Sequence, residues 1–274
     1  MVGKLFLVAT PIGNLEDMTF RAINVLKEVD LIAAEDTRHT LQLLNHFEIS
    51  KPLISYHRHN EDIKTNILID KMKQGQNIAL VSDAGTPGIS DPGSQVVKHA
   101  INENIEIVPI PGACALINAL IASGLDTTEF SFIGFLPINK KNRKEKLDFI
   151  NKCTQTLILY EAPHKVKNTL NDLKDILGDR KIVLARELTK IHEDYLRGNV
   201  LEVLEKMGEP RGEYVILIEG AKLNEIENEF SIINLSLEEH YVFYEKQGYS
   251  KKEIIKLIAK DRNVPKNDIY KLFF

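Results

Sequence analysis

Five short stretches of this chain gather side chains able to do chemistry, and each follows an apolar run. VSDAGTPGISDPG (81–93) sets Asp83 and Asp91 among three glycines and two prolines. Gly85 and Gly88 let a ligand approach the main chain with no Cβ in the way, and Thr86 adds a hydroxyl beside them. Asp83 is suited to accept from a ribose hydroxyl or to face a cation; its plainer role would be to cap the turn. Asp91, just before Pro92, is expected only to cap the helix opening there. EDTRHT (35–40) places the carboxylates of Glu35 and Asp36, which can take a proton, next to Arg38 and His39, which can hold a phosphate. The plainer alternative is a capped helix start with a solvated ion pair. In SYHRHNE (55–61), His57 and His59 lack a carboxylate or cysteine at ligand spacing. RNA contact is therefore favoured there, and no metal is expected. YEAPHK (160–165) offers Tyr160, whose ring can cover an adenine or simply be half-buried core. ARELTK (185–190) offers Arg186, Glu187 and Lys190, which can contact a polyanion or pair among themselves. The chain has no G-x-x-x-x-G-K-[ST], and GNLEDM (13–18) lacks the G-x-G-x-x-G spacing. A ligand without phosphates fits better than ATP or NAD.

These turns need a scaffold that brings them together. Short apolar runs at 4–10, 30–36, 77–83 and 105–112 predict buried strands. The stretches 17–29, 60–75 and 93–104 have apolar spacing near that of a helix. This alternation predicts a largely parallel sheet with helices on its faces and a ligand beyond the carboxyl ends of the strands. The first domain is placed at 1–117. A second α/β domain with a mixed sheet, at 118–222, follows from strands at 130–137, 154–163, 181–188 and 212–220, with a helix at 166–179. NKKNRKEK (139–146) is expected to be a mobile surface loop. The acidic stretch 223–236 reads as a linker to a C-terminal three-helix, helix-turn-helix-like domain at 236–274. That domain is marked by capping boxes at Ser236/Glu239 and Ser250/Glu253, by Gly248 as a helix stop and by Pro265 in a first turn. Residues 246–274 carry eight Lys or Arg against three acids.

The totals narrow the class. The chain has 274 residues, 43% of them hydrophobic, and a net charge of −4, which excludes a uniformly basic, histone-like protein but not local basic surfaces. Two cysteines give no disulfide framework, and no run approaches the length of a membrane span. A cytoplasmic protein is expected.

In order along the chain, ATPIGNLEDMTFRA, AAEDTRHT, SYHRHNE, VSDAGTPGISDPG, PIPGACA, GFLP, YEAPHK, ARELTK and GEYV resemble the 16S ribosomal RNA (cytidine-2′-O)-methyltransferases, a branch of the tetrapyrrole methylase superfamily. The resemblance spans nearly the whole chain. It implies two α/β domains with S-adenosylmethionine in the cleft between them, a homodimer, and 2′-O-methylation of cytidine 1402 in 16S ribosomal RNA of the 30S subunit. Carried over by position, the cofactor would meet Ile12, Asp83, Gly85, Thr86, Cys114, Ala115, Tyr160 and Ala185. Glu35 and Asp36, with Glu187 next, are candidates for the base, and Arg38, His39, His57, Arg186 and Lys190 for RNA contact. Ala113 stands where relatives often carry proline, and Lys165 where arginine is frequent. Two rivals remain at this point: a C-methyltransferase acting on a tetrapyrrole, and a non-catalytic RNA-binding protein.

Overall fold

The computed structural model describes residues 1–222, 232, 235–262 and 264–273. Its first sheet has the order β3-β2-β4-β1-β5, built from β1 (Leu5–Val8), β2 (Leu31–Ala34), β3 (Leu53–Ser55), β4 (Ile78–Val81) and β5 (Ile107–Ile110). Every pairing is parallel, with Leu5 opposite both Ile78 and Ile107. All residues of β2 and β4 are buried, as befits central strands covered on both faces. On one face α3 (Glu61–Lys73) and α4 (Ser94–Asn102) pack Leu68, Met72, Val96 and Ala100 on Leu5, Ala33 and Leu80. On the other, α1 (Phe20–Glu28) and α2 (Thr37–His46) pack Ala22, Leu26 and Leu44 on Val8, Ile32 and Val81. Because the strands are parallel, all their carboxyl ends open onto one rim.

The second sheet has the order β6-β7-β10-β8-β9, from β6 (Phe130–Gly134), β7 (Thr156–Glu161), β8 (Lys181–Arg186), β9 (Asp194–Asn199) and β10 (Tyr214–Ile218). Only β6 and β7 run parallel, so the sheet is mixed. One face lies under α6 (Lys140–Lys152), α7 (Pro163–Leu177) and α8 (Val200–Lys206). The other is covered by α5 (Ala115–Ile121), through Leu116, Ala119 and Leu120 on Ile158, Val183 and Leu217. Thus α5, which starts at the first sheet's rim, is anchored in the second sheet's core and couples the two halves.

Three C-terminal helices, α9 (Leu237–Lys246), α10 (Lys251–Asp261) and α11 (Lys266–Phe273), close around Ile254, Ile255, Ile258 and Ile269. Both capping boxes form, and Gly248 takes a left-handed φ of 87° just beyond α9. Buried His240 holds α9 to α10, with one ring nitrogen 3.0 Å from Asp261 and the other accepting from Arg262. The stretch read as an acidic linker lies, apart from residues 232, 235 and 236, outside the described residues.

The expected loop at 139–146 is the start of α6. Asn139 caps it, accepting from the amides of Lys141 and Asn142. Arg143 then reaches Asp172 of α7 (2.7 Å from its Nε), and Leu147 and Ile150 pack on the core. The apolar period starts only in the second half of this helix, so a polar first half passes for loop. β9 escapes for a related reason: DYLRGN is an edge strand with little apolar content. Its ladder to β8 nevertheless runs six residues, from Lys181↔Asn199 to Arg186↔Asp194.

Ile216, at the middle of central strand β10, is fully buried. Ile216→Ala should lose about 2–5 kcal/mol, measured as a lower urea midpoint with unchanged slope.

Candidate active site

The rim loops are tied to one another by their main chains. Thr10 and Gly85 exchange backbone hydrogen bonds of 2.9 and 3.0 Å, joining the loop after β1 to the one after β4. Gly85 has φ +81°, and a Cβ there would lie 3.1 Å from Ile12 Cγ2. The Thr86 hydroxyl donates to the Ala113 carbonyl at 3.1 Å, a contact that proline at 113 would supply equally. Asp83 Oδ1 accepts from the Asp36 amide at 2.9 Å, fastening the loop after β2.

The second half of the 81–93 loop is bent and clamped. Gly88, Ser90 and Gly93 have φ of +85°, +65° and +143°. From the loop after β3, Arg58 donates to the Ser90 carbonyl. Glu61, at the start of α3, accepts from the Gly93 amide at 3.0 Å. Gly93 is the N-cap of α4, and no side chain caps that helix. Asp91 is therefore not a cap. The chain reverses before the helix begins and returns Asp91 to the rim.

Between the two sheets lies a cleft of about 370 Å³, within the usual range for small-molecule sites. The first domain lines it with Ile12, Glu35, Asp83, Gly85, Thr86, Ile89 and Asp91; the second lines it with Phe135, Tyr160, Glu187, Leu188, Lys190, Glu213 and Val215. Cys114 and Ala115 stand at the junction. Tyr160 packs edge-on against Phe132 and Phe135, with centroids 4.9 and 5.9 Å away. Its hydroxyl accepts from the Leu116 amide at 3.1 Å, so it is the ring that faces the ligand space. Burial pushes the phenol up and keeps it neutral.

The charge in the cleft is predominantly negative. Burial raises the Glu35 carboxyl, and repulsion from Asp83 adds to this, while the Asp83 backbone amide pulls it down. Burial pushes Asp91 up to about 6, helped by repulsion from Glu35, Asp83 and Glu213 and opposed by Arg58. Glu187, at φ +52°, is 2.9 Å from Lys190. Gly212, at φ +70°, suits a bare backbone, and a Cβ there would lie 1.8 Å from Glu187 Oε1 unless that side chain moved. Gly13 leaves space for the stem of Lys190, whose Cγ would stand 2.5 Å from an added Cβ. That contact bridges the two halves.

Ten of the residues singled out from sequence thus share one cleft: Ile12, Glu35, Asp83, Gly85, Thr86, Cys114, Ala115, Tyr160, Glu187 and Lys190. Ala185 does not line it; it is buried in β8, opposite Val215, which does. The Asp36 carboxylate bonds Arg38 and the Arg38 amide, which holds it well below the usual carboxylate range. Arg38 itself is 89% exposed. His39 borders a second hollow with Gln42 and His46. The His57 ring lies beside Asn60, outside the cleft. Arg186 pairs with Asp194 at 2.8 Å. Lys165 is exposed on α7. Asp91, Glu213 and Phe135 were missed as site residues although the motifs contain all three. Asp91 reads locally as a helix cap, and only the tertiary approach of the two sheets brings the other two in.

A family model for tetrapyrrole (corrin/porphyrin) methylases matches residues 4–204. Ribosomal RNA small subunit methyltransferase I of Halalkalibacterium halodurans is 51% identical over 273 residues, covering 99% of this chain and 94% of that protein. Its namesake from Bacillus subtilis is 49% identical over 272 residues, covering 98% and 93%. The chain belongs to the tetrapyrrole methylase family, in its small subunit methyltransferase I branch. Among solved tetrapyrrole methylase structures, uroporphyrin-III C-methyl transferase from Thermus thermophilus, complexed with S-adenyl homocysteine, superposes with a TM-score of 0.56. It does so at 16% identity, over 79% of this chain and 97% of that one. The two-sheet fold expected from the motifs is that of this family.

The carboxyl of Asp91 sits near 6 in the folded chain against 3.8 ordinarily. The native state therefore binds more protons than the unfolded one between those values, and the group's contribution to stability falls as pH rises through about 6. Asp91→Asn should melt higher than the native chain at pH 7.5. The gain should shrink through pH 6 and vanish by pH 4, as followed by calorimetric scans. A lower melting point at every pH would make Asp91 a structural residue.

Proposed function

We propose that this methyltransferase moves the methyl group of S-adenosylmethionine to the 2′-oxygen of a cytidine ribose in small-subunit ribosomal RNA, cytidine 1402 by its family resemblance. The observation that carries the proposal is the cleft itself: glycine-bared main chain, an aromatic wall and a negative lining. Such a lining repels a phosphate and suits a sulfonium cation. The fit is specific in kind. Ile12, Tyr160, Phe135 and Val215 offer apolar surface for an adenine, Asp83 a carboxylate for a ribose hydroxyl, and the Ala84–Thr86 main chain groups that need no side chain. When bound, S-adenosylmethionine supplies a methyl carbon that is already electrophilic. The protein's task is then alignment of the ribose oxygen and removal of its proton.

Of the carboxylates first considered for that proton, Asp36 is bound to Arg38 and Glu187 to Lys190; Glu35 faces the cleft. Arg38, His39, His57, Arg186 and Lys190 remain our candidates for holding neighbouring phosphates around the rim. The lysines of α10, at 251, 252, 256 and 260, are exposed and add a basic surface. Ribosomal RNA affinity is then largely electrostatic and falls steeply with salt. We further propose that the protein works as a homodimer on the 30S subunit in the cytoplasm. No helix among the described residues is long and apolar enough to cross a membrane.

Titration calorimetry should show heat for S-adenosylmethionine, and the purified chain should transfer labelled methyl to small ribosomal subunits but not to uroporphyrinogen. Absence of heat, or transfer to the macrocycle alone, would defeat the proposal. Removing residues 236–274 should weaken subunit binding at least tenfold and leave cofactor affinity unchanged. Equal loss of both would assign the tail to the fold.

A further inference from the structure

We propose that Asp91 is the group that accepts the ribose proton during methyl transfer. This rests on the methyltransferase reading above and names a residue that its motif pattern hides.

Three observations lead to it. The first is position. Asp91 and the bare Gly85–Thr86 main chain belong to one loop, which leaves β4 along the cofactor side of the cleft and doubles back before α4. The Ile89 amide donates to the Thr86 carbonyl at 3.3 Å within that reversal. A single bent segment therefore carries the surface for the methyl donor and a carboxylate facing the same space.

The second is strain held in place. Ser90, immediately before Asp91, has a left-handed φ of +65°, which a non-glycine residue adopts only when its surroundings impose it. Those surroundings are identifiable: Arg58 grips the Ser90 carbonyl and Glu61 grips the Gly93 amide. Both come from the β3–α3 segment, and together they bracket Asp91. Since Asp91 caps no helix, the clamp has no evident use except to fix where that side chain points.

The third is the state of the carboxylates. Asp36 is taken by Arg38, Glu187 by Lys190, and Asp83 by the Asp36 amide. Glu35 is steadied by the Asp83 backbone amide. Glu213 lines the cleft but is exposed. Glu161 is bonded to Thr169 and the Ala162 amide. Of the carboxylates in the lining that are not exposed, among the described residues, Asp91 alone has no hydrogen bond or ion pair. Its surroundings also suit the work. Glu35 after β2, Asp83 after β4 and Glu213 before β10 face it with negative charge; Arg58 faces it with positive charge, and Glu187 and Lys190 stand in the same cleft. The balance places its titration near 6, close enough to neutral pH to be ionised yet a competent acceptor.

In the step, the ribose oxygen forms a bond to the methyl carbon as the carbon–sulfur bond breaks. The electron pair of that bond stays on sulfur, which becomes a neutral thioether, and the hydroxyl proton passes to the Asp91 carboxylate. No further reactant is needed.

The test is single-turnover methylation of small ribosomal subunits by the full chain across pH 5–9, with Asp91→Asn, Asp91→Glu and Glu35→Gln beside the native protein. The native rate should rise with pH through an acid limb near 6 and then level. Asp91→Asn should lower the plateau about 100-fold or more and abolish the limb, while cofactor affinity by calorimetry changes less than tenfold. Asp91→Glu should recover part of the rate and restore a limb, and Glu35→Gln should keep one. An Asp91→Asn rate within threefold of native, a limb that persists in it, or a rate loss no larger than its loss of cofactor affinity would overturn the assignment. Should Asp91→Asn not fold, Asp91→Glu at the native rate with an unshifted limb would overturn it equally. A native chain that methylates no ribosomal RNA would remove the reading beneath it as well.

Discussion

The site depends on one hydrogen bond, from the Asp36 amide to the Asp83 carboxylate, 2.9 Å long. It uses one carboxylate oxygen to hold two strand-end loops together at the cleft lining. Burial raises both Glu35 and Asp91, and repulsion from Asp83 adds to it. Negative potential in the cleft comes mainly from carboxylates carried on the loops that the rim brings together, Glu35, Asp83 and Asp91, with exposed Glu213 adding to them. A cleft with this potential is frustrated when empty, because half-buried like charges repel. A cationic ligand relieves the repulsion, so affinity for a sulfonium and instability of the unliganded site share one cause.

The two halves meet through small residues as much as through large ones. Gly13 lets the stem of Lys190 cross from the second domain, and Gly212 makes space for Glu187 at the same turn. The Glu187–Lys190 pair is only partly exposed and local in sequence, so its own contribution to stability is modest. Its value is geometric: it keeps a lysine on the cleft wall facing an acidic rim. Helix α5 completes the coupling by beginning at Cys114 on one rim and burying Leu116, Ala119 and Leu120 in the other sheet.

Legibility in the sequence followed physical strength. The strands of the parallel sheet were visible because burial on both faces makes them apolar throughout, as in LIAA and IALV. Their shared direction put the turns after β1, β2, β4 and β5 on one rim, which gathers Ile12, Glu35, Asp83, Gly85, Thr86, Cys114 and Ala115. Tyr160, Glu187 and Lys190 come from the second sheet, and the cofactor contacts among all ten were legible only through the family resemblance. β3, three residues long, and polar β9 gave too little apolar signal, and α6 concealed its period behind a lysine-rich first half. Asp91 shows a different limit. Asp before Pro and Gly is a reasonable helix start on local grounds, but Arg58 and Glu61, about thirty residues earlier in the chain, take hold of the main chain on either side of it. Local chemistry could not see that competition. Asp36 shows the reverse: the local cap and ion pair, its plainer reading, both form.

The separation of charge also bears on which substrate the fold serves. A tetrapyrrole and a ribosomal RNA are both polyanions, and an acidic cleft repels the charges of either. A compact macrocycle, buried whole, would have to bring its carboxylates inside. An RNA need insert only one ribose, which is neutral, and can keep its phosphates outside. A negative interior therefore favours a long polymer that enters by a single uncharged group, with the interior left to the cation that gives up its methyl.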